Sequence, residues 1–163
     1  MSHDARAIAN KLILMGLEDG NPLTPLQIIK LTYLCQAWML GMFGEPMFED
    51  EVEAWDYGPV IPEVYHGVKH FVNKPVIETM RARPTGLNDK EAHILNEVYR
   101  VYGSWSGGAL SRHTHKPETP WYITKQENPS GRSVEIPVER IRKYYEDIIR
   151  AEEAAGTRLN AGL

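Results

Sequence analysis

The stretch LTPLQIIKLTYLCQAWMLG, Leu23 to Gly41, decides how the rest of the chain is read. Its start carries helix-initiating residues in order. Thr24 can cap, Pro25 suits the first helical position, and Gln27 at the third completes a capping box. Leu23 and Ile28 stand where a hydrophobic staple closes such a start. From Leu26 to about Gly41 apolar residues cover nearly every side: Ile28, Ile29, Leu31, Tyr33, Leu34, Ala37, Trp38, Met39 and Leu40. A helix without a broad polar face is buried on several sides. The spacing therefore predicts a central helix over about 25–41, with other elements wrapped around it. Cys35 in its middle reads as a small packing group, and as the sole cysteine it excludes an intrachain disulfide.

The flanks follow from that centre. Ile8, Ala9, Leu12, Ile13 and Leu17 predict an amphipathic helix over about 4–18, broken by Asp19-Gly20-Asn21-Pro22. Gly41, Gly44 and Pro46 are expected to end the central helix. A small β element near 48–57 follows, as two short strands or one edge strand around Val52–Asp56. Pro59 and Pro62 are expected to forbid further strand pairing, and Pro62 to open a helix reaching about Phe71. Residues 73–87 read as loop. Asn88 with Glu91 is a second capping pattern, ahead of a helix faced by Ala92, Leu95, Val98, Tyr99 and Tyr102. A short helix near Gly108–Thr114, another from Pro120, a loop over Gln126–Ser133 and a last helix from Pro137 complete the pattern. The fold class is mainly α: a compact helical domain over 1–155, with 156–163 expected as a disordered tail.

Composition bounds the function. With 42% hydrophobic and 25% charged residues, the chain has ordinary globular make-up and needs no metal or disulfide for stability. A formal charge of -4 and scattered basic residues, even at Arg81 to Arg83, weigh against direct nucleic-acid binding. No apolar run approaches the roughly 20 residues that cross a membrane, and the start MSHDARAIANK lacks a signal-peptide pattern, so the expected compartment is the cytoplasm.

Catalytic motifs are sparse in the sequence. Neither G-x-x-x-x-G-K nor G-x-G-x-x-G occurs, and SWSGG at Ser104–Gly108 lacks the strand that a nucleophile elbow needs. Histidines are the remaining source: His66 and His70 are four apart on a predicted helix, and His113 and His115 flank Thr114. Four imidazoles could hold zinc, which would make the chain a metal-binding hydrolase. Against this, Gly67 and Val68 follow His66 where H-E-x-x-H requires other residues. The acidic run Glu49-Asp50-Glu51, extended by Glu53, reads more simply as charge blunting a strand edge than as half of a carboxylate site.

Three segments in order carry a resemblance. They are LTPLQIIKLTYLCQAWML, FEDEVEAWDYGPVIPEVYHGVK and LSRHTHKPETPWYITK, spanning with the early helix roughly Ala5 to Lys125. The first is similar to a proline-started helix with a leucine-x-lysine-leucine-x-tyrosine core. The second is similar to an acidic strand leading into A-W-x-Y-G-P-V, the third to a leucine-serine, threonine-histidine, proline-tryptophan segment. Together they resemble the Panacea family of antitoxin domains, which includes SocA-like proteolytic adaptors. The resemblance implies a mostly helical domain with a small β element that acts without enzymatic chemistry or cofactor. It implies a co-encoded protein toxin as partner, neutralised by binding, and for some members delivery of that toxin to the ClpXP protease. An alternative is a phage or prophage interaction protein with a non-toxin partner. Many relatives carry a DNA-binding region ahead of the domain; the early start of the first helix sets the expectation that none acts here.

The motif positions Trp55, Tyr57, Gly58, Pro59, Val60, His115 and Trp121 are the partner-binding candidates that this resemblance implies. On a strand, Trp55 and Tyr57 would share one face. Their rings either pack inward to fix the Gly58-Pro59 corner or point outward as interface anchors. An edge strand near Val52 could also accept a toxin strand.

Overall fold

The computed structural model describes residues 2–156. Of the tail expected over 156–163, all but Gly156 lies outside the described residues. The elements run α1 (Ala5–Glu18), α2 (Pro25–Phe43), β1 (Glu53–Trp55), β2 (Gly58–Val60), α3 (Pro62–Val68) with a 3₁₀ turn over Lys69–Phe71, α4 (Asp89–Tyr102), α5 (Gly107–Thr114), α6 (Pro120–Glu127), β3 (Val134–Glu135) and α7 (Val138–Ala154). The protein is mainly α, with one small antiparallel sheet of order β2-β1-β3.

α2 is the axis of the fold, for the reason the sequence gives. Thr24 and Gln27 form the capping box, with both reciprocal bonds made. Leu23 and Ile28 are both buried against it. Ile28, Leu31, Tyr33, Leu34, Ala37 and Leu40 are buried to within 1% of full burial, and each such leucine or isoleucine contributes about 1.5–3 kcal/mol of transfer free energy. α7 packs most extensively on α2, followed by α4, α1 and α5. The Trp38 and Tyr145 rings meet edge to face at 4.8 Å across the α2–α7 contact.

Gly41 does not end α2. The helix continues to Phe43 and is closed by Gly44 in the left-handed region at φ 69°. Gly41 has another job: a Cβ there would lie 2.6 Å from Cβ of Tyr145, so glycine is what lets α7 cross this closely. Beyond the helix, the buried Gln36 side chain donates to the Phe48 carbonyl at 2.8 Å and accepts from the Met47 amide at 2.7 Å. That pair fixes the chain on its way to the sheet. Asn10 performs the same two-way clasp on Met80, pinning the long loop over 73–87 to α1.

The sheet departs from expectation in three ways. Pro59 lies within a strand, opposite Ala54. β2 is an edge strand, where a residue without an N–H breaks no ladder bond, and the Pro59 carbonyl turns away from β1 toward α2. Second, β1 is the middle strand, with β2 on one side and β3 on the other. Among the described residues the strand beside Val52 is therefore not the edge strand expected to accept a toxin strand, and within the acidic run Asp50 accepts from the Ala5 amide at 3.1 Å. Third, β3 follows the loop at Gln126–Ser133. It is two residues long, and its partner strand fixes it rather than any local alternation of its own.

The candidate partner-binding hairpin

β1 and β2 form a hairpin closed by the pair Trp55 and Gly58, with Asp56 and Tyr57 at the tip. Among these residues Gly58 alone has a positive φ, 119°, so it takes up the rotation that Asp56 and Tyr57 do not. Trp55 and Tyr57 therefore do not share a face, because Tyr57 is in the turn rather than on a strand. Trp55 is half-buried, its ring edge to face with Tyr65 at 4.9 Å and its indole N–H donating to Glu53 at 2.8 Å. Tyr57 is 80% exposed. Of the two orientations left open for these rings, Trp55 packs inward and Tyr57 points outward.

Three carbonyls in and beside this turn are each held by a side chain from a different helix. Trp121 on α6 donates its indole N–H to the Trp55 carbonyl at 2.6 Å. Ser111 on α5 donates to the Tyr57 carbonyl at 2.8 Å. Lys30 on α2 donates to the Pro59 carbonyl at 2.9 Å. A short hairpin has few ladder bonds of its own, and each added bond of this kind is worth about 0.5–1.5 kcal/mol net. Asp56 is also paired with Lys125 at 3.2 Å, a largely exposed contact that adds little. The result is a well-anchored turn with one large aromatic side chain projecting from it.

Lys30 is the lysine of the first motif, but it was not among the partner-binding candidates. It is the one charged residue on α2 and is 0% exposed. Burial disfavours its charged form and brings its pKa from 10.5 down to about 7. A Cβ at residue 58 would stand 2.8 Å from the Lys30 Nζ, so Gly58 serves both the turn and the room for this ammonium. The signal was present: a lone lysine in an otherwise apolar helix, inside the first motif segment. Ser111 is likewise the serine of the third motif, although it was not among the partner-binding candidates.

The four histidines do not converge. His66 and His70 line a hollow of about 390 Å³ together with Arg6, Glu63, Glu78 and Arg81. His113 packs on Tyr102 and Trp105, with ring centroids 5.5 Å and 5.2 Å away. His115 packs on Trp121 at 5.1 Å. Among the described residues no group of three or more His, Cys, Asp or Glu is placed to hold a metal ion. The two arginines at the first hollow would further oppose a dication. His113 and His115 are both held below the usual imidazole range, chiefly by burial; the nearby Lys30 and Arg112 add to this for His115. The Nδ1 of His115 is buried without a hydrogen-bond partner. Cys35 is buried, and burial pushes its thiol far above the range of a reactive thiolate. Val60 is buried in β2 and belongs to the core. No helix among the described residues is long and apolar enough to cross a membrane.

Fold and site together define a helical scaffold that fixes one hairpin by side chains from three helices. The family model described as antitoxin SocA-like, Panacea domain, matches residues 28–122, more than half of the chain, and the chain belongs to that family. The matched span contains Lys30, the hairpin, Ser111 and Trp121, so the whole set of carbonyl anchors lies within it. The chain is also similar to the antitoxin SocA of Caulobacter vibrioides (strain NA1000 / CB15N), with 26% identity over 164 residues covering 94% of this chain and 86% of the relative. No solved structure matches the chain at a significant level.

Proposed function

We propose that this protein is an antitoxin that neutralises a co-encoded protein toxin by binding it directly, with the β1–β2 hairpin in the contact. Family membership and the similarity to an antitoxin support the role. The observation that carries the site is Tyr57, 80% exposed on a turn whose carbonyls are anchored from three helices. A large aromatic side chain held out on a pre-ordered turn has the properties of an interface anchor. It offers apolar area plus a hydroxyl, and little ordering entropy remains to be lost on binding. Neutralisation of this kind calls for no catalytic group or cofactor of the antitoxin's own.

The test is expression of the neighbouring reading frame, alone and together with this protein. Growth arrest from that frame alone, relieved by this protein and accompanied by a stable complex, is the expected result. A harmless neighbour that forms no complex would overturn the proposal and leave an interaction protein with a different partner. Delivery to ClpXP, as an adaptor, adds one measurable step: degradation of the bound partner by purified ClpXP accelerates when this protein is present. Unchanged turnover despite binding assigns neutralisation to occlusion.

A further inference from the structure

The anchors of the hairpin are not explained by packing. Lys30 is fully buried on α2, and burying an ammonium without a counter-charge is strongly unfavourable. A methionine would fill a similar volume without that penalty. What lysine adds is a donor aimed at the Pro59 carbonyl, reaching it past the bare α-carbon of Gly58. Thr114 on α5 also faces this corner, but its hydroxyl is committed to the Leu110 and Ser111 carbonyls. His115, at the end of α5, is the titratable neighbour that feels the Lys30 charge. Ser111, on the same helix, binds the carbonyl of Tyr57 itself. The two bonds therefore bracket the exposed side chain, one on its own peptide and one two residues on.

We propose that Lys30 and Ser111 are positioning residues for the partner: they hold the Tyr57 turn in the orientation the complex uses, without touching the partner themselves. This rests on the reading that Tyr57 contacts the partner. Both residues are buried in the free protein, at 0% and 9% exposure, so their effect on binding has to pass through the turn they hold. A turn ordered in advance spares the complex the entropy of ordering it.

The test is titration calorimetry of the purified chain with the product of the neighbouring reading frame, alongside melting temperatures. Tyr57→Ala is expected to weaken binding about a hundredfold, as loss of an aromatic anchor does. Lys30→Met is expected to weaken it about tenfold, and Ser111→Ala about threefold, each reflecting one lost bond to the turn. Lys30→Met should do this without lowering the melting temperature, and placed on top of Tyr57→Ala it should cost nothing further. Amide exchange in the free variant should quicken around Asp56 to Gly58 while the amides of α2 are unchanged.

Wild-type affinity in Lys30→Met, with Tyr57→Ala impaired, would overturn the positioning role and leave the proposed site standing. A full tenfold loss in the Tyr57→Ala background would also overturn it, since Lys30 would then act through something other than Tyr57. Unchanged affinity in Tyr57→Ala overturns the hairpin reading and the positioning role together. Should Lys30→Met fail to fold, Ser111→Ala and its double variant with Tyr57→Ala carry the same comparison, and wild-type affinity in Ser111→Ala would overturn the role.

Discussion

α2 and the β1–β2 hairpin touch each other, yet they are held by different forces. Along α2 the side chains exclude water on every side, and α1, α4, α5 and α7 supply the covering surface. Its stability is a matter of area and packing, spread over many residues. The hairpin has three-residue strands and an exposed tip, so it has little area to bury. Its order comes from donors aimed at backbone carbonyls: Trp121, Ser111 and Lys30. Core and presented element thus separate chemically, and they should separate in their response to mutation. Changes at the apolar positions of α2 should alter stability and spare the shape of the hairpin; changes at the anchors should loosen the hairpin at a smaller cost in stability.

The largest effect belongs to the core. Leu34→Ala, at a fully buried position of α2, is expected to cost about 3 kcal/mol in denaturant unfolding while the folded fraction binds its partner normally. A strong affinity loss in the folded fraction would blur the comparison. Gly58→Ala stands at the join of the two regions. It forces a side chain onto a residue with φ 119° and against the Lys30 Nζ, and is expected to cost about 2 kcal/mol.

Lys30 also gives the comparison a pH signature. Its pKa is near 7 when folded and 10.5 when unfolded, so between those values the unfolded chain holds the proton more tightly. The destabilisation from this group is fully present below pH 7, and stability rises as pH climbs through the window. His113 and His115, also lowered, act in the same sense, but their part is complete once pH exceeds 6.5. Buried Tyr33, Tyr145 and Cys35, whose pKa values burial raises, act in the opposite sense at higher pH, beginning near the ordinary thiol pKa of about 8.5. Between pH 7 and about 8.5 the unfolding free energy should therefore increase by about 1.5 kcal/mol, and Lys30→Met should flatten that rise. A flat wild-type profile would show that the buried amine titrates elsewhere. Smaller again is Trp121→Phe, which keeps an aromatic ring, smaller than the indole, and removes the donor to the Trp55 carbonyl; about 1 kcal/mol is expected, with faster exchange at the hairpin amides.

What was legible in the sequence follows the same division. α2 was legible because its signals are local: a capping box, a proline at the first position and apolar residues on every side. The same holds for α4, with its box at Asn88 and Glu91. β2 was hidden because Pro59 argues against a strand, and only its place at a sheet edge removes the objection. β3 has two residues and no pattern of its own, so only the fold brings it to β1. The motif A-W-x-Y-G-P-V spans the hairpin, but it does not report that Trp55 packs inward while Tyr57 points outward. That depends on where the turn falls, and the turn is set by Gly58. Lys30 and Ser111 stand in the motifs, but their anchoring role was not legible, for a similar reason. Their acceptors are backbone atoms 29 and 54 residues away, and no spacing along one helix reports such a partner.

Tyr57→Ala is the smallest change to the folded protein and the most direct test of the account. The side chain is 80% exposed, so its removal should shift the unfolding free energy by no more than about 0.5 kcal/mol. This variant, folded and as stable as the wild type, is expected no longer to relieve growth arrest caused by the neighbouring reading frame. Full protection by Tyr57→Ala at wild-type expression would contradict it.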